Sequence, residues 1–132
     1  MNNIEKIIYD GNVLAIVVRH DFVPDKLSFP TPENFALQLG IHHRQKNDTV
    51  EAHGHVPFEN VTIPAQEFFY VVSGKVDVDI YHQRKKHSTV VLAAGDMILL
   101  NCVHAMKFAE NSRIVEIKQG PYRGKENEKE FM

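Results

Sequence analysis

Residues 75–81 read KVDVDIY, and their alternation limits what this chain can fold into more than any other feature of it. Val76, Val78 and Ile80 must leave one side of an extended strand, and Asp77, Asp79 and Tyr81 the other, because successive side chains on a strand point to opposite faces. One face suits a core and the other suits water. Segments at 4–9, 12–19, 34–44, 67–72, 88–92, 96–100, 104–108 and 113–118 share the apolar, β-branched character, so the pattern predicts about nine short strands. No stretch holds a helical period over a useful length. Asp10-Gly11, Ser73-Gly74, Gly95-Asp96 and Glu110-Asn111-Ser112 supply turn chemistry between strands. Three prolines in VPDKLSFPTPEN mark residues 23–34 as a loop or edge crossing, since proline cannot donate to a ladder.

Many short antiparallel strands in 132 residues must stack or close to bury their apolar faces and hide their edges. The expected fold class is therefore all-β, a β-barrel or jelly-roll sandwich, in one domain spanning 1–132. The N-terminal strands within 1–20 are expected to cover a neighbour in a homodimer, and residues 123–132 form a charged tail.

The balance of 15 basic against 17 acidic residues, a net charge of −2, gives no general attraction to nucleic acid or an anionic membrane. A small-molecule partner is favoured. Cys102 is the single cysteine, so no disulfide can form within the chain, and a reducing cytoplasm is the expected setting. Glu5 and Asp10 interrupt the apolar N-terminus, unlike a secretory leader, and no apolar run approaches the roughly 20 residues that span a bilayer.

Against this background the stretch HGHVPFENVTIPAQEFFYVVSG at 53–74 carries the chemistry. On a strand His53 and His55 would project from one face, the spacing in which two neutral imidazoles can each give a lone pair to one ion. Glu67 opens the next apolar strand with Phe69 and Val71 on its own face. A carboxylate aimed at a core is costly unless a cation compensates it. His104, on a later strand, is a plausible fourth donor. A one-residue slip would present Gln66 in place of Glu67, but would turn Phe69 outward. Of His42 and His43, only His43 shares the parity of Phe35, Leu37, Leu39 and Ile41, which suits a core or supporting role. Cys102 lies in the apolar run ILLNCV and reads as a small buried hydrophobe before it reads as a nucleophile. Residues 82–88, HQRKKHS, form a basic hairpin tip.

At these residues the sequence resembles a cupin. His53-x-His55, Glu67 and Gly74 follow the first cupin motif, and Gly95-Asp96 with His104 open and close the second; the resemblance covers about residues 34–118. Eleven residues separate His55 from Glu67, more than is usual in cupins, and Asn101 and Val103 stand near where the second motif has proline and glycine. The ending EIKQGPY at 116–122 is similar to small cupins of sugar and surface-polysaccharide metabolism. The resemblance implies a jelly-roll barrel holding one divalent transition metal (Mn, Fe, Ni, Co or Zn) on His53, His55, Glu67 and His104, and a homodimer. It implies a small, sugar-related ligand and metal-assisted isomerisation or epimerisation of a keto sugar. A non-catalytic binding module, a barrel with a vestigial site and an iron-dependent dioxygenase are the alternatives. No separate general base is evident; His43, Arg44 and Tyr70 are the catalytic candidates.

Overall fold

The computed structural model describes residues 3–55 and 66–119. The chain divides into two units, one made of Met1–Phe22 with Ala65–Met132 and the other of Val23–Pro64. Among the described residues there are ten strands, β1 (Ile4–Tyr9), β2 (Asn12–Val18), β3 (Leu27–Ser28), β4 (Ile41–His42), β5 (Glu67–Ser73), β6 (Lys75–His82), β7 (Lys85–Ala93), β8 (Met97–Leu100), β9 (His104–Phe108) and β10 (Arg113–Lys118), with no helix between them. Among the described residues no helix is long and apolar enough to cross a membrane.

The first unit holds two antiparallel sheets, ordered β1-β2-β8-β5-β10 and β7-β6-β9. From β5 onward the chain moves between them at each corner except the β6–β7 hairpin. The alternation in KVDVDIY sets the result. Val76, Val78 and Ile80 are fully buried and join Leu14, Ala15, Val17, Phe69, Val71, Leu92, Ile98 and Leu100 in one core drawn from both sheets. Each of its Val, Leu, Ile and Phe side chains contributes about 1.5–3 kcal/mol relative to exposure. The sheets remain open in hydrogen bonding: β1 and β10 end one, and β7 and β9 end the other. The all-β expectation holds, while the described strands do not close into one barrel ladder.

β2 departs from simple alternation. Ile16 and Val18 lie on the opposite face from Ala15 and Val17, yet all four are buried, as is Leu99 beside Ile16. The unbroken apolar run VLAIVV at 13–18 is the signature of a strand buried on both faces.

Residues with positive φ make the hairpin turns. Asp10 and Gly11 both adopt positive φ between β1 and β2, and so do Gln83 and Arg84 at the tip of β6–β7. Two consecutive residues of this kind match the right-handed twist of a hairpin.

The second unit contains the short β3–β4 pair, Leu27 with His42 and Ser28 with Ile41. The strand expected over 34–44 is reduced to Ile41–His42. Local side-chain bonding explains why. The Gln38 amide donates to the carbonyls of Pro32 and Phe35, Thr31 Oγ1 donates to Gln38 Oε1 at 2.8 Å, and the Phe35 N–H bonds Pro32 O. These bonds fold 31–38 on itself and leave no extended backbone to pair.

Candidate functional site

Parity places Glu67 on the core side of β5 with Phe69 and Val71. Across the core, His104 opens β9 opposite Ile80 of β6. Both are partly shielded, with side-chain exposures of 20% for His104 and 27% for Glu67, and His104 Nε2 stands 3.4 Å from Glu67 Oε1. The ring of Phe69 packs edge-on to His104, centroids 6.3 Å apart.

The other ring nitrogen settles the tautomer. His104 Nδ1 is 2.9 Å from the carbonyl of Cys102, and because a carbonyl can only accept, Nδ1 carries the hydrogen and donates it. In the neutral imidazole Nε2 then holds a lone pair, aimed at a carboxylate oxygen. Two acceptors at this distance need a proton or a cation between them.

The shifts of the two groups favour a proton in that role. The hydrogen bond from His104 holds the Glu67 carboxyl below its ordinary value, burial opposes this, and a hydrogen bond with Glu116 adds to the lowering. For His104 burial acts to lower, but the hydrogen bonds to Glu67 and to the Cys102 carbonyl prevail and the imidazole titrates above its ordinary value. The Glu67 contribution to stability is thus present above the unfolded carboxyl pKa and lost as pH falls through the folded one. That of His104 is present below the unfolded imidazole pKa and lost as pH rises through the folded one. Melting temperature of the metal-free protein minus that of His104→Gln should therefore peak between the two ranges and shrink on both sides. A difference that stays flat from about pH 3 to about pH 9 would contradict the pairing.

β10 adds two groups that sequence reasoning missed. Its register sets Lys118 opposite Glu67 and Glu116 opposite Phe69, and directly opposed residues of an antiparallel pair share a face. Lys118 Nζ is 3.8 Å from Glu116 Oε1. The signal was available in RIVEIK: once Ile114 is assigned inward, Glu116 and Lys118 follow by parity. Ile117 and Val115, apolar but exposed, masked it.

Gln66 is not presented as a ligand in place of Glu67. It is buried, its side-chain amide donates to Asn101 Oδ1 at 3.0 Å, and its backbone N–H donates to Gln119 Oε1. Asn101 in turn donates to the Val13 carbonyl. This chain of amides ties the start of β5 to β2 and β8 and so fixes the direction in which Glu67 leaves the strand.

In the second unit, His53 and His55 are exposed and lie on irregular backbone, not on a strand. Their rings still meet, centroids 5.1 Å apart at 67°, and His53 Nδ1 bonds the Glu51 carbonyl at 2.7 Å. Most of the segment between His55 and Glu67, residues 56–65, lies outside the described residues. Among the described residues no group of three or more His, Cys, Asp or Glu side chains is gathered as a metal cluster.

Of the catalytic candidates, Tyr70 lies on the face of β5 opposite to Glu67 and is 38% exposed. Arg44 donates to His42 Nδ1 at 3.2 Å, and the backbone N–H of His43 donates to Lys26 O. His43 itself is exposed, so the core role inferred from strand parity does not apply, there being no strand over 34–40 to set that parity.

Burial pushes the Cys102 thiol up to about 11, against weaker opposing bonds from the backbone of Tyr81 and Asn101. Relative to a free thiol, such a shift cuts the thiolate fraction at neutral pH about a hundredfold. Alkylation by iodoacetamide at neutral pH should be slower in the folded protein by at least that factor than in urea. Equal rates would restore Cys102 as a candidate nucleophile.

Comparison of the chain with protein-family models, with curated proteins and with solved structures finds no match.

Proposed function

We propose that the first unit is a jelly-roll sandwich of cupin type whose open end binds one divalent transition-metal ion and presents it to a small carbonyl metabolite. The observation that carries this reading is the approach of His104 Nε2 to Glu67 Oε1 at 3.4 Å, with the far ring nitrogen already committed to a backbone carbonyl. A carbonyl-oriented imidazole beside a carboxylate is the donor set that metal centres use, the carbonyl fixing ring orientation and raising ligand basicity. His53 and His55 complete the proposed set, and their assignment rests on the sequence pattern. Nitrogen and oxygen donors of this kind suit Mn, Fe, Co, Ni or Zn alike.

When bound, such an ion supplies Lewis acidity that polarises a carbonyl or enediolate oxygen, which supports isomerisation or epimerisation of a keto sugar. The chain's own residues hold and orient: the Gln66–Asn101 bond sets Glu67, the Cys102 carbonyl sets His104, and Phe69 walls the imidazole on its core side.

Elemental analysis tests the reading directly. The protein should carry about one transition-metal ion per chain, and Glu67→Gln, His104→Gln and the double variant His53→Ala, His55→Ala should each retain much less. Metal content equal to the parent in His104→Gln or Glu67→Gln would refute the site.

A further inference from the structure

The β3–β4 pair of the second unit carries a set of side chains that the proposed function does not use. Leu27 stands opposite His42 in the ladder, so the two share a face. Phe29 continues that face, with its ring against Gly40, where a Cβ would come within 2.7 Å of Phe29 Cε1 and 2.9 Å of Cζ. Only a glycine lets the ring settle there. Yet Phe29 is 56% exposed and Leu27 43%, so holding the ring on Gly40 does not hide it from water. Single exposed apolar residues are ordinary, but an exposed ring held in place beside a second exposed apolar side chain makes a platform.

The polar half of the same face offers hydrogen-bond donors. Arg44 Nε donates to His42 Nδ1 at 3.2 Å, and both side chains are exposed. Because Nδ1 accepts, the imidazole is neutral and carries its hydrogen on Nε2. The guanidinium spends its Nε–H on His42 and keeps both Nη groups, and among the described residues no carboxylate pairs with it. Donors of this kind, one set of them cationic, call for an anionic acceptor, and the planar fork of an arginine fits a carboxylate. A sugar ring would need acceptors for its hydroxyl groups where this face has Phe29 and Leu27, whereas a flat aromatic ring needs none.

We propose that this face of the second unit binds a small aromatic monocarboxylate, its ring laid on Phe29 and Leu27 and its carboxylate held by Arg44 and the His42 Nε2–H. Gly40 and His42 are two residues apart, about 7 Å along an extended chain, a span that a carboxylate one bond from an aromatic ring covers together with its hydrogen bond. The inference uses no metal and no residue of the first unit, so it stands or falls apart from the function proposed above.

Fluorescence titration of the full chain at neutral pH with 2-naphthoate tests this, with 2-naphthamide as the neutral isostere and with acetate and glucuronate as competitors, one an acid without a ring and the other a sugar acid. 2-Naphthoate should saturate and bind about fivefold or more tighter than 2-naphthamide, the margin of a charge-assisted over a neutral hydrogen bond. Arg44→Gln should erase that margin and Arg44→Lys should keep part of it. Phe29→Ala should weaken both ligands alike, by about two- to tenfold, the worth of one aromatic contact. Phe29 and Arg44 are exposed, and circular dichroism reports whether the fold of each variant persists. Absence of saturable 2-naphthoate binding, equal binding of the two isosteres, a margin that survives in Arg44→Gln, or competition by acetate or glucuronate at equal concentration overturns the inference.

Discussion

Asp96→Ala should lower the free energy of unfolding by about 3–5 kcal/mol, the range for removing one partner of a buried, hydrogen-bonded charge pair. Its side chain is 6% exposed, and both carboxylate oxygens are engaged: Oδ1 accepts from the backbone N–H of His20 at 3.1 Å, and Oδ2 from the N–H of Ala93 at 2.9 Å and from Arg19 Nη1 at 3.0 Å. Arg19 spreads the connection further, donating to the Val91 carbonyl and pairing with Glu5. One carboxylate thus joins the end of β2, the end of β7 and the corner into β8. The backbone reinforces the same corner, with Gly95 N–H donating to Val71 O and Val71 N–H to Asp96 O. Alanine strands two backbone donors and part of a guanidinium. Asp96→Asn keeps the volume and one good acceptor, so it should cost roughly half as much. Urea unfolding followed by circular dichroism reads both, and a loss below about 1 kcal/mol in Asp96→Ala would show that the corner does not depend on this carboxylate.

Strands were legible where one face is wet. β6 reads directly from KVDVDIY, and β5, β7, β9 and β10 lie where apolar alternation placed them, because a half-buried strand writes its burial into a period of two; β8 was legible as an unbroken apolar run, with Ile98, Leu99 and Leu100 all buried. The region 34–44 misled for the same reason. Phe35, Leu37, Leu39 and Ile41 alternate, but the Thr31–Gln38 bonds satisfy the backbone locally and leave a two-residue strand. Alternation reports which residues avoid water, not which backbone groups find a partner in a ladder.

The site divides along similar lines. Glu67 was conspicuous because a carboxylate on the parity of Phe69 and Val71 needs an explanation, and His104 faces it. Glu116 and Lys118 were not conspicuous. Their importance depends on which strand β10 pairs with and in what register, and register is set by the whole sheet, not by six residues of its own. The helpful roles of Cys102 and Gln66 were equally hidden, since one acts through its backbone carbonyl and the other through an amide bond to Asn101. Side-chain type says nothing about a carbonyl.

Gly74→Ala should be among the most damaging single-methyl changes in the protein, costing roughly 2–6 kcal/mol when backbone strain and overpacking each contribute about 1–3 kcal/mol. Gly74 was singled out by its place in a family-like motif, and the structure supplies a physical reason independent of any family. It forms the corner at which the chain leaves the five-stranded sheet at Ser73 and enters the three-stranded sheet at Lys75, with φ of +98°, outside what side chains with a Cβ readily adopt. Space is refused as well. A Cβ here would lie 2.5 Å from the carbonyl oxygen of Asn111 and 2.6 Å from Ser112 Cα, and would also strike Ser112 Oγ. Two of these are backbone atoms of the turn between β9 and β10. That turn cannot retreat cheaply, because Ser112 Oγ accepts from the Lys75 N–H at 3.1 Å and is itself placed by the carbonyl of Glu110. Moving it would shift β10, and with β10 the register that sets Glu116 and Lys118 opposite Phe69 and Glu67. Gly11, by contrast, has positive φ but nothing within 4 Å of where a Cβ would stand, so Gly11→Ala incurs conformational strain alone and should cost only about 1–2 kcal/mol. Comparing the two variants by urea unfolding separates strain from collision. Equal losses would mean that the Ser112 turn yields freely, and that the β5–β6 corner does not hold β10 in register.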